Sequence, residues 1–327
     1  MRIAVSGANG FVGRVVTALL CDRGYDVIAL VRRAGTSEAR TCECLTGDDN
    51  FGGIAAGAPD LGDCDAFIHL AARVHVMRDR VADPLSAFRA VNVDGTLNAA
   101  RAAVRAGARQ FVYVSSIKAL GEAGPGRPWR EDDRALPIDP YGISKHEAES
   151  ALRAFGRTHG IGIVIVRPPL VYGAGVGANF LAMMKAVDKG MPLPLAAITA
   201  RRSLVYVDNL ADALLQCAVD PRAAGECFHV ADDDAPSVAG LLRMLGDALG
   251  KPARLFPVPA GALRLLGKAT GRSSAIDRLT GSLQLDTGRI KQVLDWHPPY
   301  TTREGLVATA AWYRSRDSRH QATCNSQ

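Results

Sequence analysis

Tyr141 and Lys145 stand four residues apart in DPYGISKHEAES, residues 139–150. On a helix that spacing is about one turn, so both side chains point the same way. A phenol beside an ammonium can pass a proton to or from a substrate oxygen if the phenol is made acidic enough. A free tyrosine titrates near pH ~10, and lowering that by about 3 units takes about 4 kcal/mol. The ammonium supplies part of this, and a positively charged cofactor ring would supply more. A Tyr-x-x-x-Lys spacing also arises by chance on helix surfaces, so the rest of the chain has to provide the cofactor and the substrate.

The cofactor signal lies at the other end of the domain. SGANGFVG, residues 6–13, places Gly7, Gly10 and Gly13 after the apolar run RIAVS and before FVGRVVTALLCDRG, which reads as a helix closed by Gly24. The first glycine permits a tight turn, the second lets backbone approach a pyrophosphate, and the third lets helix and strand pack closely. Asn9, Phe11 and Val12 fall inside the same turn and are expected to line a dinucleotide. An NAD site usually carries a carboxylate at the end of the second strand for the ribose 2′-hydroxyl. Here DVIALV is followed by Arg32 and Arg33, two guanidiniums able to pair with a 2′-phosphate. NADP(H) is therefore favoured, with NAD(H) the alternative. A second glycine-rich stretch, GAGVGANF, residues 173–180, follows no comparable strand and reads as a loop.

Short apolar runs (RIAVS, DVIALV, DAFIHLA, QFVYVSS, IGIVIVRPP) alternate with helical patterns through the first half of the chain. Strands that are apolar throughout and separated by helices indicate an α/β fold, a Rossmann-like doubly wound parallel sheet covered on both faces. We expect a nucleotide-binding domain over 1–170, with a return segment near 203–218. A smaller, mostly C-terminal α/β substrate lobe over 171–313 and a frayed polar tail over 314–327 complete the division. The 327 residues are 48% hydrophobic and 22% charged, ample for a core. No apolar run reaches membrane-spanning length, and MRIAVSGANGF lacks a secretory signal, so a cytoplasmic enzyme with no membrane insertion is expected. Seven scattered cysteines suit free thiols, and the lone Cys42-x-Cys44 carries no second ligand pair, so no metal is expected. The formal charge of +6 is dispersed, without the clustered basic surface of a nucleic-acid binder.

Seven motifs follow in order: GANGFVG (7–13), HLAA (69–72), NVDGTLN (92–98), VYVSS (112–116), YGISK (141–145), RPPLVYG (167–173) and RRSLVYVDNL (201–210). In these the chain resembles the extended short-chain dehydrogenase/reductase family, in its nucleotide-sugar epimerase/dehydratase branch, over residues 1–313. The resemblance implies that Ser116, Tyr141 and Lys145 act together while hydride moves to or from C4 of the nicotinamide. Ser116 would bind the reacting oxygen and Lys145 the nicotinamide ribose. Leu70, Ala71, Ala72 and Pro168 would line the cofactor, Asp48 would approach adenine, and Asn92 would pack under the active-site strand. Arg202 matches the arginine that clamps a substrate diphosphate, with Arg278 a weaker second candidate, and Lys118 and Asn179 would also face the substrate.

Two departures from the family pattern narrow the reaction. Sugar dehydratases of this family follow the catalytic Ser/Thr with Asp-Glu; Ile117 and Lys118 stand here, which argues against dehydration. Leu170 stands where an asparagine contact to the nucleotide-sugar is usual. The nearest likeness is a bacterial subgroup of O-antigen and lipopolysaccharide pathways that reduces UDP-4-keto-6-deoxy-N-acetylhexosamines at C4. A 4-ketoreductase ranks first, and a UDP-glucose or UDP-N-acetylglucosamine 4-epimerase with tightly held NAD second. Another carbonyl reductase and a non-catalytic NAD(P)-binding regulator come last. By the same resemblance the partner is a UDP-sugar and the assembly a homodimer, built on the helix over about 83–106 and the one after Tyr141.

Overall fold

Strands apolar along their whole length must be covered on both faces, and the chain covers them by alternating strand with helix. The computed structural model describes residues 1–48, 50–74, 83–122, 124–271 and 273–324. β1 (Arg2–Ser6), α1 (Phe11–Asp22), β2 (Asp26–Val31) and β3 (Cys42–Leu45) open the fold. Next come α2 (Gly52–Ala56), β4 (Ala66–His69), α3 (Pro84–Arg89), a π-helical turn over Ala90–Asp94, and α4 (Gly95–Arg105). β5 (Gln110–Val114), α5 (Pro140–His159) and β6 (Gly162–Arg167) complete the first half. The second half runs β7 (Leu170–Tyr172), α6 (Ala178–Asp188), β8 (Leu204–Tyr206), α7 (Val207–Val219), β9 (Cys227–His229) and α8 (Val238–Leu249). It ends with α9 (Ala260–Ala269), α10 (Ser273–Thr280), α11 (Gly288–Leu294) and α12 (Thr302–Cys324).

The large sheet has the order β3-β2-β1-β4-β5-β6-β9, and every pairing in it is parallel. This is the expected Rossmann-like sheet. Strand order reverses between β1 and β4, and ligands of such sheets sit outside the strand C-termini at that reversal. One face is covered by α1 and α7, whose Val16, Leu20, Leu210 and Leu214 are buried against Val5, Ile68 and Val112. The other is covered by α4 and α5 through Ala99, Ala103, Leu152 and Phe155. A smaller core gathers α6, α8, α12 and the two-stranded β7–β8 sheet.

Four features differ from the sequence reading. The stretch 83–107, read as one helix, is broken by the π-helical turn, which re-aims Asn92 inward. Beyond the return segment expected near 203–218, where α7 lies on α1, β9, three residues long, also joins the large sheet beside β6. GAGVGANF does open a helix, α6, from Ala178. The tail expected to fray from 314 continues as α12 to Cys324, since 306–324 holds neither glycine nor proline and polar residues alone do not stop a helix; residues 325–327 lie outside the described residues. Among the described residues no helix is long and apolar enough to cross a membrane, and no cluster of three metal-ligating side chains occurs.

Candidate active site

The glycine turn is held by a Gly10 N–H to Gly7 carbonyl bond of 2.9 Å, with Gly7 at φ +69°. A Cβ on Gly13 would lie 2.1 Å from the Gly7 oxygen, and one on Gly7 would lie 3.0 Å from the Ala71 nitrogen. Only hydrogen fits at Gly13, and the left-handed backbone at Gly7 favours glycine there. The Ser6 hydroxyl accepts the N–H groups of Leu70 (3.2 Å) and Ala71 (3.3 Å), so the turn and the HLAA segment form one wall. Helix α1 starts with no side-chain cap, leaving its first N–H groups for an anion. Gly175 packs on the Phe11 ring, bringing the second lobe over this turn, while Val12 faces both cores. The cradle fits a dinucleotide pyrophosphate.

At the adenosine end, Arg32 and Arg33 are exposed just beyond β2. Asn9 donates to the Thr36 hydroxyl (3.1 Å) and so ties the turn to the loop that follows. Glu43 of β3 accepts from the N–H groups of Gly35, Thr36 and Ser37 and from the Ser37 hydroxyl. Those donors, the Ser37 hydroxyl foremost, hold its carboxyl down at about 2. Asp48 is exposed and accepts the Gly53 N–H at 3.3 Å.

At the nicotinamide end, the last residues of β5 face the first turns of α5. Asp139 caps α5 by accepting the Gly142 N–H (2.6 Å), and Pro140 starts the helix without losing a bond. A Cβ on Gly142 would lie 2.5 Å from the Lys118 carbonyl, so the helix start is pressed onto the turn after Ser116. That contact brings Tyr141 to Ser116. Burial pushes the Tyr141 phenol up to about 12, against a Ser116 hydrogen bond that lowers it. Lys145, 2% exposed, donates to the Val114 carbonyl at 2.9 Å and lies 4.6 Å over the Tyr113 ring and 5.9 Å from the Tyr141 ring centre. Burial draws it down to about 7, with Glu149 pulling the other way. Burial thus outweighs the lowering contributions, and without the positively charged cofactor ring the protein keeps Tyr141 protonated.

Several assigned roles change. Lys118 is spent on Glu122 (2.8 Å) and Asp139, so it steadies the helix cap rather than a substrate. Asn92 is buried, accepts the Arg73 N–H (2.8 Å) and donates to the Arg73 carbonyl and the Ser144 hydroxyl, joining the HLAA segment to α5. The Pro168 carbonyl accepts the Ile117 N–H (3.1 Å), which fixes the strand end beside Ser116. On the substrate side, Arg202 is half-buried and donates to the carbonyls of Arg278 (2.6 Å) and Gly281 (2.9 Å). Burial first, then the neighbouring Arg278 charge, pulls its pKa down. A half-buried guanidinium with a second arginine charge nearby suits an anion. Asn179 is exposed in the first turn of α6, and Ala72 continues the wall beside Ala71.

The model of the NAD dependent epimerase/dehydratase family matches residues 3–231. The chain belongs to this family. It is 40% identical to a UDP-glucose 4-epimerase of Vibrio cholerae over 97% of both chains. It is 29% identical to a dTDP-6-deoxy-L-talose 4-dehydrogenase (NAD(P)+) of Kitasatospora kifunensis over 93% of both. Among solved structures it shares the fold of the UDP-glucose 4-epimerase of Thermotoga maritima, with a TM-score of 0.75 and 23% identity over 97% of this chain and 99% of that one.

This epimerase/dehydratase family member also carries a group that sequence reasoning missed. Glu149, fully buried, accepts from the Ser115 hydroxyl (2.6 Å) and from both arms of the Arg167 fork (2.8 and 2.5 Å). It lies eight residues after Tyr141 and four after Lys145, on the same face of α5; that spacing was the available signal.

Proposed function

We propose that this enzyme transfers hydride at C4 of a UDP-linked (N-acetyl)hexosamine, acting as a 4-ketoreductase with exchangeable NADP(H) in surface-polysaccharide biosynthesis. The observation that carries this is the end of β2. Arg32 and Arg33 stand where a ribose-binding carboxylate would, and the nearby Glu43 is consumed by four donors. A second feature agrees. A ketone needs a proton donor, and Tyr141 retains its proton at neutral pH.

In this reading Ser116 hydrogen-bonds the C4 oxygen and Tyr141 gives it a proton. Lys145 stabilises the phenolate that results and orients the nicotinamide ribose. The reduced cofactor, when bound, supplies the hydride. Arg202 and Arg278 meet the diphosphate, a task suited to planar forks. Ile117 is buried and Lys118 is ion-paired, so no acid–base pair for water elimination follows Ser116. By family resemblance the enzyme is proposed to work in the cytoplasm as a homodimer, which sedimentation would test.

A second reading, a UDP-hexose 4-epimerase with tightly held NAD, is favoured by the name of the 40% identical relative. The test is to give purified protein a UDP-4-keto-6-deoxy-N-acetylhexosamine with NADPH and follow loss of the reduced-nicotinamide absorbance. Turnover there supports the ketoreductase. Conversion of UDP-glucose or UDP-N-acetylglucosamine to its C4 epimer with no added cofactor, and no oxidation of NADPH by the keto-sugar, overturns it.

A further inference from the structure

Three consecutive residues at the end of β5 each meet one residue of α5, and the three on α5 are spaced by one turn. Ser116 lies close enough to Tyr141 to lower its pKa, the Val114 carbonyl accepts from Lys145 at 2.9 Å, and the Ser115 hydroxyl donates to Glu149 at 2.6 Å. The third rung has a further ionic anchor, the two-armed Arg167 contact from β6. Lys145, Glu149 and Arg167 are 2%, 0% and 3% exposed, so water screens none of them. We infer that Glu149 is a positioning residue of the reaction: fixed by Ser115 and Arg167 one turn beyond Lys145, it sets a buried negative charge on the face of α5 that carries Lys145 and Tyr141. This rests on Ser116, Tyr141 and Lys145 being the proton-transfer group.

The surroundings leave Glu149 as the carboxylate acting on Lys145. Lys145 is faced by the Tyr113 ring and the Val114 carbonyl from β5, by His69 from β4, and by Tyr141 and Glu149 from its own helix. His69 is neutral at working pH, since burial draws it down to about 3. Lys118 and Asp139, at the start of α5, neutralise each other. Glu149 in turn is faced by Ser115, by Arg167, by Arg153 one turn on at 3.6 Å, and by Cys227 and His229 from β9. Arg167 keeps Glu149 ionised, and Glu149 then favours the ammonium over the free amine against the cost of burial. An ordinary buried ion pair would stabilise the fold at any position on α5; this one lies in register with the two catalytic side chains.

The test compares Glu149→Gln, Arg167→Gln and the double variant, which removes both charges together. Two quantities are followed against pH: kcat for ketoreduction (or for epimerisation, if that is the activity), and Kd for NADPH from its fluorescence without substrate. In the wild type both should weaken as Lys145 loses its proton. In Glu149→Gln that transition should move about one pH unit towards acid, because a cation has lost its counter-charge, and kcat at neutral pH should fall about tenfold with KM little changed. Arg167→Gln serves as the stability control. The double variant should regain thermal stability yet keep the displaced transition. A double variant, folded as stably as the wild type, with wild-type pH dependence in both measurements would overturn the inference and leave Glu149 a structural residue. A different failure, full activity in Tyr141→Phe, would overturn the catalytic reading instead.

Discussion

The two ends of the cofactor groove use the same kinds of charged side chain under opposite conditions. At the nicotinamide end Lys145, Glu149 and Arg167 are buried, and the Lys145 ammonium is drawn from its ordinary 10.5 to about 7. At the adenosine end Arg32 and Arg33 are exposed, and Glu43, though bound by four donors, lies at the edge of the sheet. Coulomb interactions between unit charges are several-fold stronger in a protein interior than in water, and salt screens only the exposed ones. The buried end should therefore govern rate and pH dependence. The exposed end should govern cofactor choice, by modest and salt-sensitive amounts.

The sharpest way to break this contrast is at Tyr141. Tyr141→Phe removes one oxygen at the buried end and should lower kcat by about a thousandfold, while the dissociation constant for NADPH changes less than about threefold. Single-turnover kinetics and fluorescence titration measure the two separately. Substantial turnover in the variant would mean that proton transfer does not run through this end at all. On the substrate side, Arg202→Ala should raise KM by about 10- to 100-fold with a smaller change in kcat, since a clamp on a diphosphate acts before and during the reaction alike. A change confined to kcat would show that Arg202 orders α10 and does not hold the substrate.

Lys145 sharpens the comparison in the opposite direction. Its pKa is lower in the fold than in the unfolded chain, so between about pH 7 and 10.5 the unfolded state binds a proton that the native state does not. Stability owing to this group therefore rises with pH through that window, and the penalty is largest below pH 7. Lys145→Met should be inactive yet more stable than the wild type near neutral pH, by about 1–2 kcal/mol after the loss of the Val114 contact. The gain should shrink as pH approaches 10.5. Calorimetry of the cofactor-free protein at several pH values checks it, and a variant less stable at every pH would show that Lys145 is held at little cost.

Much of the first half was legible because local signals and tertiary demands coincide there. Fully apolar strands and the 7-10-13 glycine spacing point to one fold, the one-turn Tyr–Lys spacing gains its meaning from them, and in the structure Tyr141 lies near Ser116 and Lys145. What was not legible depends on burial. A glutamate in HEAES reads as solvated surface until α5 is laid against β5 and β6, and only then does Glu149 become a buried partner of Arg167. Lys118 was assigned to substrate by resemblance, and its ion pair with Asp139 forms only once the start of α5 is docked on the turn after Ser116. The Arg202–Arg278 contact depends on where α10 docks, and β9 is too short for any periodicity to show.

The smallest expected effect is at the exposed end. Replacing Arg32 and Arg33 together by serine should weaken NADPH binding about tenfold and leave NADH within about twofold, since the pair would meet only the 2′-phosphate. The discrimination should fall with added salt, because a guanidinium in water is screened over about 10 Å at 0.1 M ionic strength. Glu43→Gln makes a useful companion. Its carboxylate accepts from three backbone N–H groups and the Ser37 hydroxyl, so the substitution should loosen the loop that follows Arg33 and blunt the same preference without new charge at the site. Titration of each variant with both cofactors at two salt concentrations decides the point. If the wild type binds NADH as tightly as NADPH, the arginines are ordinary surface residues and cofactor choice lies elsewhere in the groove.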